Sequence, residues 1–474
     1  MDPLRKSFNP HKQLKEEFVS NLSGSSMIEI AALSTIVPVL ILLRHSISFK
    51  GLTDPLSPVN TSKKNDAETV VRKDWKVYMV TLVLDFLFII VPILLFFTVL
   101  AEWVNISAIF LALLLFLCIA AKRFRSCSPF PKEGLQLVNS SRTSVSSYRV
   151  SMMIVTCLCI LAVDFKIFPR RYAKTETFGT GLMDLGVGSF VLSNSLVSRQ
   201  ARKVASRSWM VAVRSISPLI LLGFGRLIFT KGVDYQVHVG EYGVHWNFFF
   251  TLAAVSILTF VTNIHTQNCG ILGSLILLGY QTCLLCGLNE YLLSNIRGKD
   301  IISQNKEGIF SIFGYWGLYL VGVQLGNYLF FGSFGNDSTS MKSSQWTRNR
   351  VWILTLLFWL LTIILDKHVE KVSRRMCNLA YVMFVLAENF QVIAILMLSD
   401  FIGGQKTSVL EEAFNRNLLA SFMLANVLTG VINLYVDTFS ASSPSALIIL
   451  LSYAFVLSVF TGCAAYFGIK LKYW

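Results

Sequence analysis

Charge is what this chain has least of: Asp, Glu, Lys and Arg make up 15% of its 474 residues, against roughly 25% in an ordinary soluble domain. That scarcity excludes a soluble enzyme. Histidine is also rare, with six residues and no HExxH arrangement among them, so the zinc-hydrolase pattern is missing. The nine cysteines lie mostly within apolar runs and read as small packing residues. The single CxxC, Cys283 and Cys286, has no second pair or neighbouring histidine to complete a metal or redox site. No metal site is expected. No internal repeat is visible, which argues against a transporter built from inverted halves. Residues 1–26 are polar and lack the basic start and immediate apolar core of a cleavable signal, so the first span is expected to act as its own signal.

What is present is apolar sequence: 54% of the residues are hydrophobic. Thirteen spans of about 20 residues would occupy roughly 260 positions, which matches that fraction. Continuous apolar runs fall at 27–44, 77–100, 104–121, 148–165, 180–198, 209–229, 246–264, 271–288, 308–331, 351–366, 377–398, 418–436 and 445–467. The expected fold is therefore all-α: one polytopic integral-membrane domain over 1–474 with about 13 transmembrane helices, preceded by a luminal segment, 1–26. The net charge of +15 points to anionic lipid headgroups as partners. Nucleic acid is not expected, because no basic domain stands apart. With the N-terminus luminal and the C-terminus cytosolic, 24 of the 42 Lys and Arg lie in cytosolic segments and 16 in luminal ones, the direction the positive-inside rule requires. Lys470 and Lys472 then form a cytosolic dilysine pattern near the C-terminus, an address for retrieval to the endoplasmic reticulum.

Two loops break that charge rule. Lys166-Ile-Phe-Pro-Arg-Arg-Tyr-Ala-Lys174 and the 367–375 loop both place cations on the luminal side. For the first, a phosphate-bearing ligand is the expected reason; for the second, function and chance weigh equally. Ionisable residues within or at the ends of spans are functional candidates by default. They are Asp85, Asp164, Asp184, Arg214, Arg226, Asp366 and Glu388. Asp164 ends an apolar run and is followed within ten residues by Arg170, Arg171 and Lys174, and Pro169 prevents a helix from continuing through them. This is chemistry suited to acyl transfer. A base takes the proton of a sugar-like hydroxyl, and a fixed cation stabilises the oxyanion formed from a thioester. Asp164 fits the first role and Lys174 the second, although an acidic residue among cations at a helix end also serves simply as an ion pair. A second polar loop, 231–247, contains Asp234, His238, Glu241, His245, Trp246 and Asn247. Hydrogen bonding to a hydroxylated headgroup is expected there, with Trp246 equally suited to anchoring at the membrane interface.

At these residues the sequence resembles the glucosaminyl-phosphatidylinositol inositol acyltransferase family of GPI-anchor biosynthesis. The resemblance is carried by Val163-Asp-Phe-Lys-Ile-Phe-Pro-Arg-Arg-Tyr-Ala-Lys-Thr-Glu176, Gly179-Thr-Gly-Leu-Met-Asp-Leu-Gly-Val-Gly188 and Glu241-Tyr-Gly-Val-His-Trp-Asn-Phe-Phe249. Asn305-Lys-Glu-Gly-Ile-Phe-Ser311 and Leu424-Ala-Asn-Val-Leu-Thr-Gly430 extend it along the chain. It implies an endoplasmic reticulum membrane enzyme that moves a fatty acyl group, usually palmitoyl, from acyl-CoA to the inositol 2-hydroxyl of glucosaminyl-phosphatidylinositol. It implies Asp164 and Lys174 as the catalytic pair and no cofactor beyond acyl-CoA as co-substrate. Arg170, Arg171, Asp184, Asp234, His245, Trp246 and Asn247 are the expected substrate-binding residues.

Overall fold

The computed structural model describes residues 18, 20, 22–47, 74–125, 135–204, 209–231, 239–294, 296–332, 344–402 and 407–470. Asp234, His238, Cys127 and Lys472 lie outside them. The described residues are helical throughout, with isolated bridges from Gly24 and Ser25 to Thr180 in place of any strand. Eleven helices are long and apolar enough to cross a membrane, so the chain is a multi-pass membrane protein. The runs at 180–198 and 246–264 form shorter apolar helices, Leu182–Leu196 and Phe248–Thr262. At 1.5 Å per residue these extend about 22 Å, less than the ~30 Å hydrocarbon core.

Several spans depart from a regular helix. Phe86–Ile90, Leu284–Leu288 and Asn327–Phe331 are π-helical, and Gly287 (φ 111°) breaks the second of these from within. Cys283 and Cys286 are exposed on that helix. They are not the core residues expected, whereas Cys157, Cys159, Cys269 and Cys377 are buried. Leu379–Leu396 is continuous through Glu388 and Asn389, and both side chains are buried.

The chain divides into two compact units. The first comprises the described residues of Met1–Ala31 and Pro169–Ala394. Its Cys269–Cys283 and Lys306–Gly326 helices pack closely, and a Cβ on Gly317 would lie 2.6 Å from Leu277 Cγ. Helix association in lipid depends on small residues of this kind, because lipid tails offer no hydrophobic penalty to drive it. Tyr381, Phe384, Leu386 and Phe390 on Leu379–Leu396 are fully buried.

The second unit comprises the described residues of Ala32–Phe168 and Ile395–Tyr473. Tyr453 donates to the Cys157 carbonyl (2.7 Å) and Tyr78 to that of Gly462 (2.9 Å), tying Ser443–Tyr466 to two other spans. Its buried charges close on one another. Arg44 meets Asp85 at 2.7 Å, and His45 meets Glu411 at 2.6 Å. Asp85 also accepts from the Leu410 amide and Glu411 from the Ser408 amide. The latter completes a capping box at the start of Val409–Arg416.

Candidate active site

In the second unit the Leu135–Ala162 helix ends just before Asp164, which is half-buried. Asn433 Nδ2 donates to Asp164 Oδ2 at 2.8 Å, and Thr438 Oγ1 reaches Asn433 Oδ1 at 3.5 Å. The carboxylate is thus oriented by a neutral amide. Lys166 stacks over the Phe439 ring at 3.9 Å.

In the first unit Pro169, with φ −59°, opens a single 3-10 turn, Arg170–Tyr172. Arg170 lies over the Phe18 ring at 4.0 Å. Arg171 pairs with Glu29 at 2.9 Å, and Tyr172 donates to the same carboxylate at 2.7 Å, with Ser25 a further donor. Burial and the Glu29 carboxylate both push the Tyr172 hydroxyl up, so it stays a donor. The stretch before the first span is stitched to the loop that follows. Ser25 N donates to Thr180 O (2.7 Å), Thr180 Oγ1 to Ser25 O (2.7 Å), and Glu176 N to Leu22 O (3.0 Å). Gly24 and Gly179, both at positive φ, permit that approach, because a Cβ on either would strike backbone atoms of the other strand of chain.

Beyond this turn the charges form a chain. Lys174 Nζ meets Glu241 Oε1 at 2.7 Å, and Arg374 Nη1 meets the same oxygen at 3.3 Å. Arg374 Nε continues to Asp184 Oδ1 at 2.8 Å, and Asp184 also accepts from the Thr175 amide and hydroxyl. Burial raises the Glu241 carboxyl, but the charges of Lys174, Arg374 and Arg226 outweigh it and hold the group down at about 2. The next residue, Arg375, pairs with Glu307 (2.8 Å), which also holds Arg297 (2.7 Å). The 367–375 loop thus supplies two buried arginines as counter-ions to carboxylates from three other segments.

His245 is exposed, and its amide and that of Trp246 donate to Asn305 Oδ1 at 2.8 and 3.0 Å. Trp246 Nε1 donates to Thr251 Oγ1 (3.0 Å). Asn247 is buried; it caps Phe248–Thr262 and donates to the Gly223 carbonyl (3.0 Å). No group of three metal-ligating side chains occurs among the described residues. The structure therefore brings Lys174, Asp184, Glu241 and Arg374 together, and places Arg170 and Arg171 on the N-terminal segment. Glu29, Arg374, Arg375 and Asn433 are site residues that sequence reasoning did not single out. Arg374 and Arg375 were signalled only as cations on the wrong side of the charge rule.

Fold and site define a multi-pass helical membrane protein with a charge chain running from a half-exposed lysine to a buried aspartate. A family model described as GWT1 matches residues 11–464. The chain is 56% identical over 440 positions to an uncharacterized protein of Arabidopsis thaliana, covering 92% of this chain and 98% of that one. It is 34% identical to the phosphatidylinositol-glycan biosynthesis class W protein of Dictyostelium discoideum, covering 98% of this chain and 99% of that one. It is 32% identical to the glucosaminyl-phosphatidylinositol-acyltransferase PIGW of Bos taurus, covering 97% and 98%. The chain belongs to the GWT1 family.

Proposed function

We propose that this chain is a glucosaminyl-phosphatidylinositol acyltransferase of GPI-anchor biosynthesis. It moves a fatty acyl group, palmitoyl in the first instance, from acyl-CoA to the inositol 2-hydroxyl. The observation that carries this reading is the full-length similarity to a relative bearing that name. We place the enzyme in the endoplasmic reticulum membrane with its N-terminus and reaction on the luminal side.

Asp164 takes the proton of the inositol hydroxyl as its oxygen attacks the thioester carbonyl, and Lys174 stabilises the oxyanion. Collapse of that intermediate expels the CoA thiolate and leaves the ester. Asn433 supports this assignment by donating to Asp164 Oδ2 and so orienting the carboxylate. Arg170 and Arg171 serve the lipid phosphate, and Asp234, His245 and Trp246 the headgroup. Asp184 and Asn247, whose polar atoms are taken by Thr175, Arg374 and Gly223, act by holding the loops.

The test is transfer from labelled palmitoyl-CoA to glucosaminyl-phosphatidylinositol by purified chain in lipid. Asp164→Asn keeps shape and removes charge, so turnover falls about 10²–10⁴-fold while abundance and acyl-CoA binding hold. An Asp164→Asn enzyme that acylates at the normal rate overturns the mechanism, and a wild-type chain that leaves both substrates unchanged overturns the function.

A further inference from the structure

The Lys174 chain has a direction. Side-chain exposure falls from 39% at Lys174 to 14% at Glu241, 5% at Arg374 and 1% at Asp184. Only its outer end can meet a ligand, and each inner member has a partner on both sides. An ammonium has three donors; Glu241 takes one. A lysine with its four-carbon stem is the residue least able to hold one position unaided. Arg374 differs, because its planar fork spans two carboxylates at once.

We propose that Glu241 and Arg374 are positioning residues for Lys174: Arg374, anchored by Asp184, fixes Glu241, and Glu241 fixes the place of the Lys174 ammonium. The proposal rests on the acyl-transfer role given to Lys174 above. The charged and titratable groups facing this chain are Lys174, Arg374 and Arg226 around Glu241, Tyr242 beside it, and Asp184 and Tyr315 about Arg374. Glu241 is the carboxylate that offsets the cations at the outer end. Without it, the Lys174 ammonium loses the carboxylate that holds it in place.

Glu241→Gln in the full chain tests this by the split between kcat and KM. A displaced cation costs stabilisation of the transition state, so kcat falls at least about tenfold. KM changes little, because the oxyanion exists only in the transition state. Arg374→Lys keeps one charge but cannot span both carboxylates, and kcat falls in the same way by less. A wild-type kcat in Glu241→Gln overturns the proposal. If that variant does not accumulate, Glu241→Asp keeps the charge at shorter reach and should also lower kcat, and a wild-type kcat there is equally fatal. Lys174→Gln separates the two levels. Near-normal turnover in it removes the reading of Lys174 itself, whereas an inactive Lys174→Gln beside a wild-type kcat in Glu241→Gln removes only the positioning.

Discussion

The two units treat buried charge differently. In the second, Arg44, Asp85, His45 and Glu411 are all at most 7% exposed and pair with one another. In the first, the Asp184 chain runs outward to Lys174, and the sister pairs about Glu307 support it from the adjacent arginine. A closed cluster contributes by staying whole, because removing one member strands the other in low dielectric. An open chain can do the same and still present a charge to a ligand. Burial alone therefore does not separate the two networks; an accessible end does.

The largest effect that tests this contrast is loss of a shared counter-ion. Glu307→Gln leaves Arg375 and Arg297 without their carboxylate, and about 3–5 kcal/mol of stability should be lost, seen as a lower Tm in detergent. Asp85→Asn in the closed cluster should cost a similar amount, yet its surviving protein should keep wild-type KM and kcat. Altered kinetics in Asp85→Asn would break the distinction.

Acid offers an intermediate effect. Glu241 is held at about 2 against an ordinary 4.5, so the folded state favours the carboxylate. Its stabilisation is present above about 4.5 and disappears as pH falls toward 2. By linkage the contribution is about 3 kcal/mol. A Tm profile from pH 7 to pH 3 should therefore fall less steeply in Glu241→Gln than in wild type. The smallest effect is at a helix start. Asn247→Ala removes the cap of Phe248–Thr262 and should cost about 1 kcal/mol, and this belongs to packing alone if Lys174-dependent kinetics are unchanged.

Much of the fold was legible because a span announces itself by uninterrupted hydrophobicity. All thirteen runs became helices, and the two too short to cross, Leu182–Leu196 and Phe248–Thr262, were the ones with polar flanks that inflated their apparent length. The π segments and the break at Gly287 left no mark in the pattern, since they respond to neighbours and not to local composition. The site was legible in part. Asp164, Lys174 and the Glu241 loop stood out as charge beside apolar sequence. Arg374 did not, because its meaning lies in Asp184, 190 residues earlier, and a single sequence shows no such pairing. Glu29 was hidden by its place in the first turn of a span, where an acid is ordinarily a helix-end residue.

The separation between Asp184 and Arg374 also sets a timetable. At roughly 5–20 residues per second, a ribosome makes Asp184 about 10–40 s before its guanidinium partner, and Glu241 waits for the same arginine. The first unit cannot lock until the 367–375 loop has been delivered. Of the pairs in this chain of charges, Lys174 with Glu241 can form first, and both Arg374 pairs come last.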